Sequence, residues 1–193
     1  MKRILSLSLA IIFMIFTACQ KDGPITGPET PTAKAFEAEP KWIGFPPNAD
    51  DPSHKSFFAN AYVTVAEGGE LTISNTYTSV DGATNHCFSD ILFNPNTIQA
   101  DCNITMSIDD ATGTSTLLPH QMLDQPAILN QIFSGLDLSN VDVSAINLYY
   151  LAEDGTYEVM DRDDLIIDQA AGTITVINSK IPHFSVYGCG IKE

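Results

Sequence analysis

The sequence has 193 residues, of which 24 are Asp or Glu and 9 are Lys or Arg, and its formal net charge is -15. No Lys or Arg occurs from Ser56 to Asp161. Because a nucleic-acid-binding protein needs a basic face that neutralises phosphates, the composition argues against that class. The hydrophobic content of 44% is enough for a buried core in one domain.

The first 18 residues have the pattern of a secretory signal. Two basic residues precede an apolar run at 4–16, which is too short for a membrane-spanning helix. The run ends in Phe16-Thr17-Ala18-Cys19, which resembles the lipobox of bacterial lipoproteins. The resemblance implies cleavage after Ala18 and lipidation of Cys19, and two acyl chains would anchor the protein stably. The alternative is an ordinary cleaved signal in which Cys19 has no role.

Cleavage would leave 7 cations and 24 acids, because residues 1–18 contain two cations and no acid, and the net charge would become -17. Gln20 follows Cys19, where the inner-membrane retention signal of enteric lipoproteins has Asp. We therefore expect a lipid-anchored protein of the bacterial outer membrane, facing the periplasm or the cell surface. Its expected partners are the membrane, through the lipid, and an unidentified protein or envelope component.

The segment 19–56 is interpreted as the lipidated Cys and a Pro-rich tether, and 57–193 as the folded domain. Seven of the 11 prolines lie in this segment, which has neither helical nor strand periodicity. Trp42, Ile43 and Phe45 interrupt it. They either pack on the folded domain or form a short recognition segment.

From residue 57 onward, apolar and polar residues alternate in short runs bounded by turn residues. The predicted strands are 61–65, 70–77, 88–93, 104–108, 146–151, 156–160, 165–168, 173–177 and 184–187. Gly68-Gly69, Asp154-Gly155 and Ala171-Gly172 predict turns. Many short strands with regular turns predict an all-β domain, an antiparallel β-sandwich.

The segment 126–136 is ambiguous. Its apolar residues have helical spacing, with Asp124 as a candidate cap and Gly135 as a stop. Periodicity alone therefore favours a helix.

Several short motifs of the domain occur together. They are Asn94-Pro95-Asn96-Thr97-Ile98, Leu118-Pro119-His120, Glu153-Asp154-Gly155-Thr156-Tyr157 and His183-Phe184-Ser185-Val186-Tyr187. Over 57–189 this set resembles the ZU-type β-sandwich domain of ankyrins, netrin receptors and zonula-occludens proteins. The resemblance implies a strand at 128–133, which we adopt as the prediction.

Some domains of the ZU type cut themselves between the Phe and Ser of a His-Phe-Ser tripeptide. The resemblance implies that Ser185 is the nucleophile, that the carbonyl of Phe184 is attacked and that His183 is the base. The alternative is a last strand with Phe184 on one face and His183 and Ser185 on the other. The sequence has no Gly-rich phosphate loop and no nucleophile elbow, so we expect a non-catalytic interaction or structural module, with self-cleavage as the alternative.

Three cysteines would remain after lipidation, in an oxidising compartment. Cys87 and Cys102 are symmetric about Asn94-Pro95, so a hairpin there would bring them together in a disulfide and leave Cys189 as a free thiol. Pairing of Cys189 with either of the others is the alternative.

Metal binding is the second alternative function. Its candidate ligands are His86, Cys87, His120, His183, Cys189 and the acidic groups at 109–110 and 161–164. None has the spacing of a zinc motif or a calcium loop, so the sequence predicts no metal and no cofactor.

Overall fold

The computed structural model describes residues 38–51, 53, 56–152 and 154–192. All of them belong to one unit of the chain, Phe36–Glu193. The predicted signal, Cys19 and the first part of the predicted tether lie outside the described residues. Within the described part, no helix is long and apolar enough to cross a membrane.

Short strands connected by turns make up most of this unit. The strands are β1 Lys41–Trp42, β2 Ser56–Val63, β3 Gly69–Thr78, β4 Thr84–Phe93, β5 Cys102–Asp109, β6 Ser115–Leu118, β7 Met122–Ser134, β8 Ile146–Leu151, β9 Tyr157–Val159, β10 Asp164–Asp168, β11 Thr173–His183 and β12 Val186–Ile191, and a single 3₁₀ turn spans Val143–Ala145.

These strands form two antiparallel sheets. The larger sheet has the order β2-β5-β6-β12-β8-β9, with β1 beside β12, and the smaller sheet has the order β10-β11-β7-β4-β3. The two sheets bury one apolar core between them, to which both contribute. The predicted antiparallel β-sandwich is confirmed.

Side-chain alternation explains why the two sheets pack face to face. In β5, Ile104, Met106 and Ile108 are fully buried, and the intervening polar residues lie on the outer face. Successive side chains of a strand point to opposite faces, so one face of β5 supplies the core and the other faces solvent. The same alternation is present in β3 and β4.

The ambiguous segment is a strand, and the prediction adopted from the resemblance is confirmed. β7 lies between β4 and β11, and both of its edges are hydrogen-bonded. Ala127, Leu129 and Phe133 point into the core, whereas the side chain of Ile132 is 40% exposed. The apparent helical spacing arises because apolar residues also occupy the outer face of a central strand. Gly135 ends the strand with φ +79°.

The predicted turns at Asp154-Gly155 and Ala171-Gly172 connect β8 to β9 and β10 to β11 as hairpins. Gly155 and Gly172 have φ values of +80° and +59°, the left-handed region that these turns require. The sequence prediction missed β1 and β6, which have two and four residues.

The folded unit begins inside the segment interpreted as a tether. β12 pairs with β6 through its first residues and with β1 through its last residues. β1 therefore extends the sheet beyond the end of β6, and it pairs Trp42 with Gly190. The Ile43 N–H donates to the Cys189 carbonyl at 2.9 Å, and both Ile43 and Phe45 are buried in the core. Of the two interpretations of these apolar residues, packing on the domain is the one observed. We call residues 41–45 the N-terminal arm.

Candidate functional site

The His-Phe-Ser tripeptide joins the two sheets. His183 is the last residue of β11 in the smaller sheet, and Val186 is the first residue of β12 in the larger one. The predicted strand 184–187 is therefore wrong at its start, because the chain bends at 184–185 to pass between the sheets. The alternative of a last strand that contains all three residues is not observed either, because only His183 lies in a strand; His183, Phe184 and Ser185 are 8%, 2% and 7% exposed. We call residues 183–185 the corner.

Two imidazoles meet the carbonyl oxygen of Phe184. The Nδ1 atom of His120 lies 3.2 Å from this oxygen, and the Nδ1 atom of His183 lies 3.5 Å from it. A carbonyl oxygen can only accept a hydrogen bond, so each imidazole must carry its proton on Nδ1 in order to donate. Both contacts would polarise the carbonyl group that the resemblance marks for attack.

Backbone hydrogen bonds fix the corner in place. The Phe184 N–H donates to the Gln121 carbonyl at 2.9 Å, and the Leu117 N–H donates to the Ser185 carbonyl at 3.1 Å. The Phe184 ring inserts into the core and makes an edge-to-face contact with Phe93, with ring centroids 5.8 Å apart. The corner therefore fastens the β6–β7 connection to the rest of the core.

The hydroxyl of Ser185 is hydrogen-bonded to the backbone of β8. Its Oγ donates to the Leu151 carbonyl at 2.6 Å, and a hydroxyl has one proton to donate. His183 would act as its base only after the Ser185 side chain had rotated away from Leu151. Donors at the position of a developing oxyanion are present, but the contact that would activate the nucleophile is not formed.

A surface cleft of about 310 Å³ opens beside the corner. It is lined by His120, Gln121, Met122, Leu151, Ala152, Phe184 and Ser185. The corner therefore borders this cleft, although Phe184 and Ser185 are themselves buried.

The chain matches no protein-family model, no curated protein and no solved structure. The resemblance to the ZU-type domain stays a prediction.

His120 is the residue of this site that sequence reasoning did not place. It is 64 positions before Phe184 and belongs to the connection between β6 and β7. Its only local signal is its position in the Leu118-Pro119-His120 motif, which appeared in the sequence analysis as a mark of resemblance and as a candidate metal ligand.

The cysteines are not arranged as the hairpin interpretation requires. The turn at Asn94-Pro95 connects β4 of the smaller sheet to β5 of the larger one, so these strands are not paired with each other. Cys87 lies six residues before the end of β4, about 20 Å along the strand, whereas Cys102 begins β5. A disulfide needs Cα atoms within about 7 Å. Cys87, Cys102 and Cys189 are all free.

Burial dominates the chemistry of two of these thiols. It raises the pKa of Cys87 and the pKa of Cys189 to about 12, so both remain protonated at neutral pH. A protonated, buried thiol behaves as a small apolar side chain rather than as a nucleophile or metal ligand.

The candidate metal ligands do not form one cluster among the described residues, although His120 and His183 approach the same carbonyl oxygen. His86 hydrogen-bonds Thr76 on the neighbouring strand, at 2.9 Å, while His120 and His183 lie at the corner. Among the described residues, no group of three or more His, Cys, Asp or Glu side chains is placed to hold a metal ion.

Proposed function

We propose that this protein is a lipid-anchored lipoprotein of the bacterial outer membrane whose β-sandwich serves as a non-catalytic interaction or structural module. The observation that carries the non-catalytic part is the hydrogen bond from Ser185 Oγ to the Leu151 carbonyl. This bond engages the hydroxyl of Ser185, the candidate nucleophile, in a contact that stabilises the fold. The backbone hydrogen bonds of the corner hold the same residues in place.

The N-terminal arm supports a fixed point of attachment between anchor and domain. Residues 41–45 are part of the larger sheet and the core. A lipid on Cys19 would therefore be connected to the sandwich through β1, which is a fixed part of the fold.

Charge supports an uncharged or cationic partner. The chain carries 14 acids and no cation from Ser56 to Asp161. The cations that follow are engaged within the domain: Lys180 Nζ lies 2.7 Å from Asp161 Oδ2, Arg162 donates to the Asn147 side chain at 3.0 Å, and Lys192 Nζ donates to the Tyr157 carbonyl at 2.9 Å. Such a surface repels anionic lipid and anionic polymers.

Metabolic labelling with an alkyne fatty acid in a Gram-negative host tests the anchor. The natural chain should incorporate the label and fractionate with the outer membrane, whereas a Cys19→Ala variant should do neither. A chain that is exported without the label would overturn the lipoprotein assignment. Protease treatment of intact cells then distinguishes a surface-facing domain, which is degraded, from a periplasmic one, which is protected.

Self-cleavage between Phe184 and Ser185 is the second candidate, favoured by the two imidazoles at the Phe184 carbonyl oxygen. Ser185 Oγ would attack the Phe184 carbonyl carbon, the C–N bond would break and the proton from Oγ would pass to the new amine. Water would then hydrolyse the ester, leaving a carboxylate on Phe184 and restoring the serine hydroxyl.

Intact mass measured under denaturing conditions tests this candidate, because β12 would hold the released fragment 185–193 in the sheet under native conditions. Residues 20–193, which include every described residue, should yield that fragment over time, and Ser185→Ala should not. His120→Ala should slow the cut if the imidazole stabilises the oxyanion. A single uncut species after prolonged incubation would refute self-cleavage and leave the first proposal standing.

A further inference from the structure

Strand β2 is an edge strand without the usual protection. Among the described residues it pairs only with β5. Directly after β2, Thr64 forms a bridge with Gly68, just before β3, so the open part of the other edge is residues 56–63. Exposed edges are normally kept from pairing by charges, by proline or by short length. The other end strands of the two sheets have such protection: β9 has only three residues, β10 begins and ends with Asp and β3 contains Glu70. The eight residues of β2 contain no charge and no proline.

Two aromatic side chains project from the outer face of this edge. Phe58 is 74% exposed and Tyr62 is 62% exposed. They are four residues apart in a strand, so they share a face and are separated by about 13 Å. A cleft of about 370 Å³ lies between the first half of β2 and residues 72–75 of β3, which leaves space at the edge for an incoming strand.

The residue pattern of this edge is symmetric about Asn60. Each position on one side of Asn60 is matched by a residue of the same kind on the other side. The matched positions are Ala59 with Ala61, Phe58 with Tyr62, and Phe57 with Val63. In an antiparallel pair related by a two-fold axis at Asn60, these are the residues that face each other.

We propose that β2 pairs antiparallel with β2 of a second copy of this chain, about a two-fold axis at Asn60. The two sheets become one continuous sheet across the dimer, and Phe58 of each copy lies opposite Tyr62 of the other. Directly opposed aromatic residues are a stabilising cross-strand pair. The interface is isologous, so it closes at two copies and does not propagate into a fibre.

Charge favours a second copy at this edge rather than elsewhere on the domain. Two copies of an acidic chain repel each other over most of their surfaces, and β2 is an uncharged stretch where they can approach. The contact is small: a strand edge about 27 Å long buries well under the roughly 800 Å² per partner of a standard interface. The dimer is therefore weak and strengthens with salt, since salt screens the repulsion between the two acidic domains.

Cysteine cross-linking tests the register. In residues 20–193 with Cys102 replaced by Ala, Asn60→Cys should form a disulfide-linked dimer on mild oxidation, because position 60 faces itself across the axis. Asn103→Cys is the matched control, since Asn103 is exposed on the neighbouring strand but not at the edge. Phe58→Cys and Tyr62→Cys should cross-link when mixed and not when each is oxidised alone. Equal cross-linking at positions 60 and 103 would overturn the proposal.

Sedimentation equilibrium tests the dimer without oxidation. The natural chain should associate with a dissociation constant between roughly 1 μM and 1 mM, and more strongly at 0.5 M than at 0.05 M salt. Asn60→Lys should weaken association at least tenfold, whereas Asn103→Lys, with the same change of charge, should leave it unaltered. Thermal unfolding confirms that both variants fold. A natural chain that is monomeric at 1 mM in high salt would refute the proposal, whatever else covers the edge.

Discussion

The indole ring of Trp42 lies directly on Gly188. A Cβ atom added to Gly188 would come within 3.0 Å of Trp42 Cε3 and within 2.9 Å of Thr114 Cγ2. Gly190 is similarly close, with its added Cβ 3.1 Å from the same ring atom. The Gly-Cys-Gly run in β12 thus provides a flat surface on which the N-terminal arm packs.

We predict that Gly188→Ala destabilises the domain by about 1–3 kcal/mol, because the new methyl group overfills this contact. Urea unfolding measures the change. If the clash is with Trp42, combining Gly188→Ala with Trp42→Ala should cost less than the sum of the single changes. Additive effects would mean that Thr114, and not the indole, opposes the methyl group.

The arm also predicts unequal effects for two phenylalanines. Phe45 is buried against Phe133, with ring centroids 4.9 Å apart, whereas Phe58 is mostly exposed. Phe45→Ala should lower the free energy of unfolding by about 3–5 kcal/mol. Phe58→Ala, the same chemical change, should alter it by less than about 0.5 kcal/mol when measured at a concentration where the chain is monomeric. Equal effects would contradict the assignment of the arm to the core.

The sequence was informative where a structural signal is local. The alternation of Ile104, Met106 and Ile108 is enough to identify a half-buried strand, and Asp154-Gly155 specifies a hairpin through the backbone conformation that glycine allows. The apolar residues of β7 misled the periodicity argument because a strand paired on both edges tolerates apolar residues on both faces.

The sequence was uninformative where the structure depends on which sheet a strand joins. Cys87 and Cys102 are symmetric about a turn, yet that turn crosses between sheets, and no local feature distinguishes this from a hairpin. The contact of His120 with Phe184 is set by the positions of β6, β7 and β12, which only the complete topology specifies. The high proline content of 19–56 also obscured the two-residue strand that begins the arm.

A buried polar contact between the sheets gives another prediction. Gln131 of β7 donates to Ser89 Oγ at 3.2 Å and to Ser115 Oγ of the opposite sheet at 2.8 Å. Its Oε1 atom has no hydrogen-bond partner among the described residues. Replacing a partly satisfied buried amide by an apolar group of similar shape costs little, whereas truncating it leaves a cavity and two hydroxyls without their donor.

Gln131→Met should therefore stay within about 1 kcal/mol of the natural chain, and Gln131→Ala should be less stable by about 2–3 kcal/mol. Chemical denaturation of both variants checks this order. If Met proves as costly as Ala, the hydrogen bonds contribute more than the shape of the side chain.

We predict that the three cysteines differ in how readily their thiols react in the folded chain. Cys102 is partly exposed, while Cys87 and Cys189 are buried. At pH 8 a chain of residues 20–193 should react at one thiol when native and at three when unfolded. Mass spectrometry of the labelled peptides identifies the sites. Fewer than three reactive thiols in the unfolded, unreduced chain would show that a disulfide has formed.

The same two buried thiols predict loss of stability in alkali. The pKa values of Cys87 and Cys189 are raised by burial from 9.0 to about 12 in the folded chain. As the pH rises above 9, the unfolded chain loses these protons while the folded chain keeps them, so the free energy of unfolding falls. The stability that each thiol contributes is fully present below pH 9 and is lost toward pH 12, and between these values the free energy of unfolding falls by up to about 1.4 kcal/mol per pH unit. Urea unfolding at pH 8 and pH 10.5 should show this decrease, and Cys189→Ala should make it shallower. An unchanged slope in that variant would mean that the Cys189 thiol ionises equally in both states.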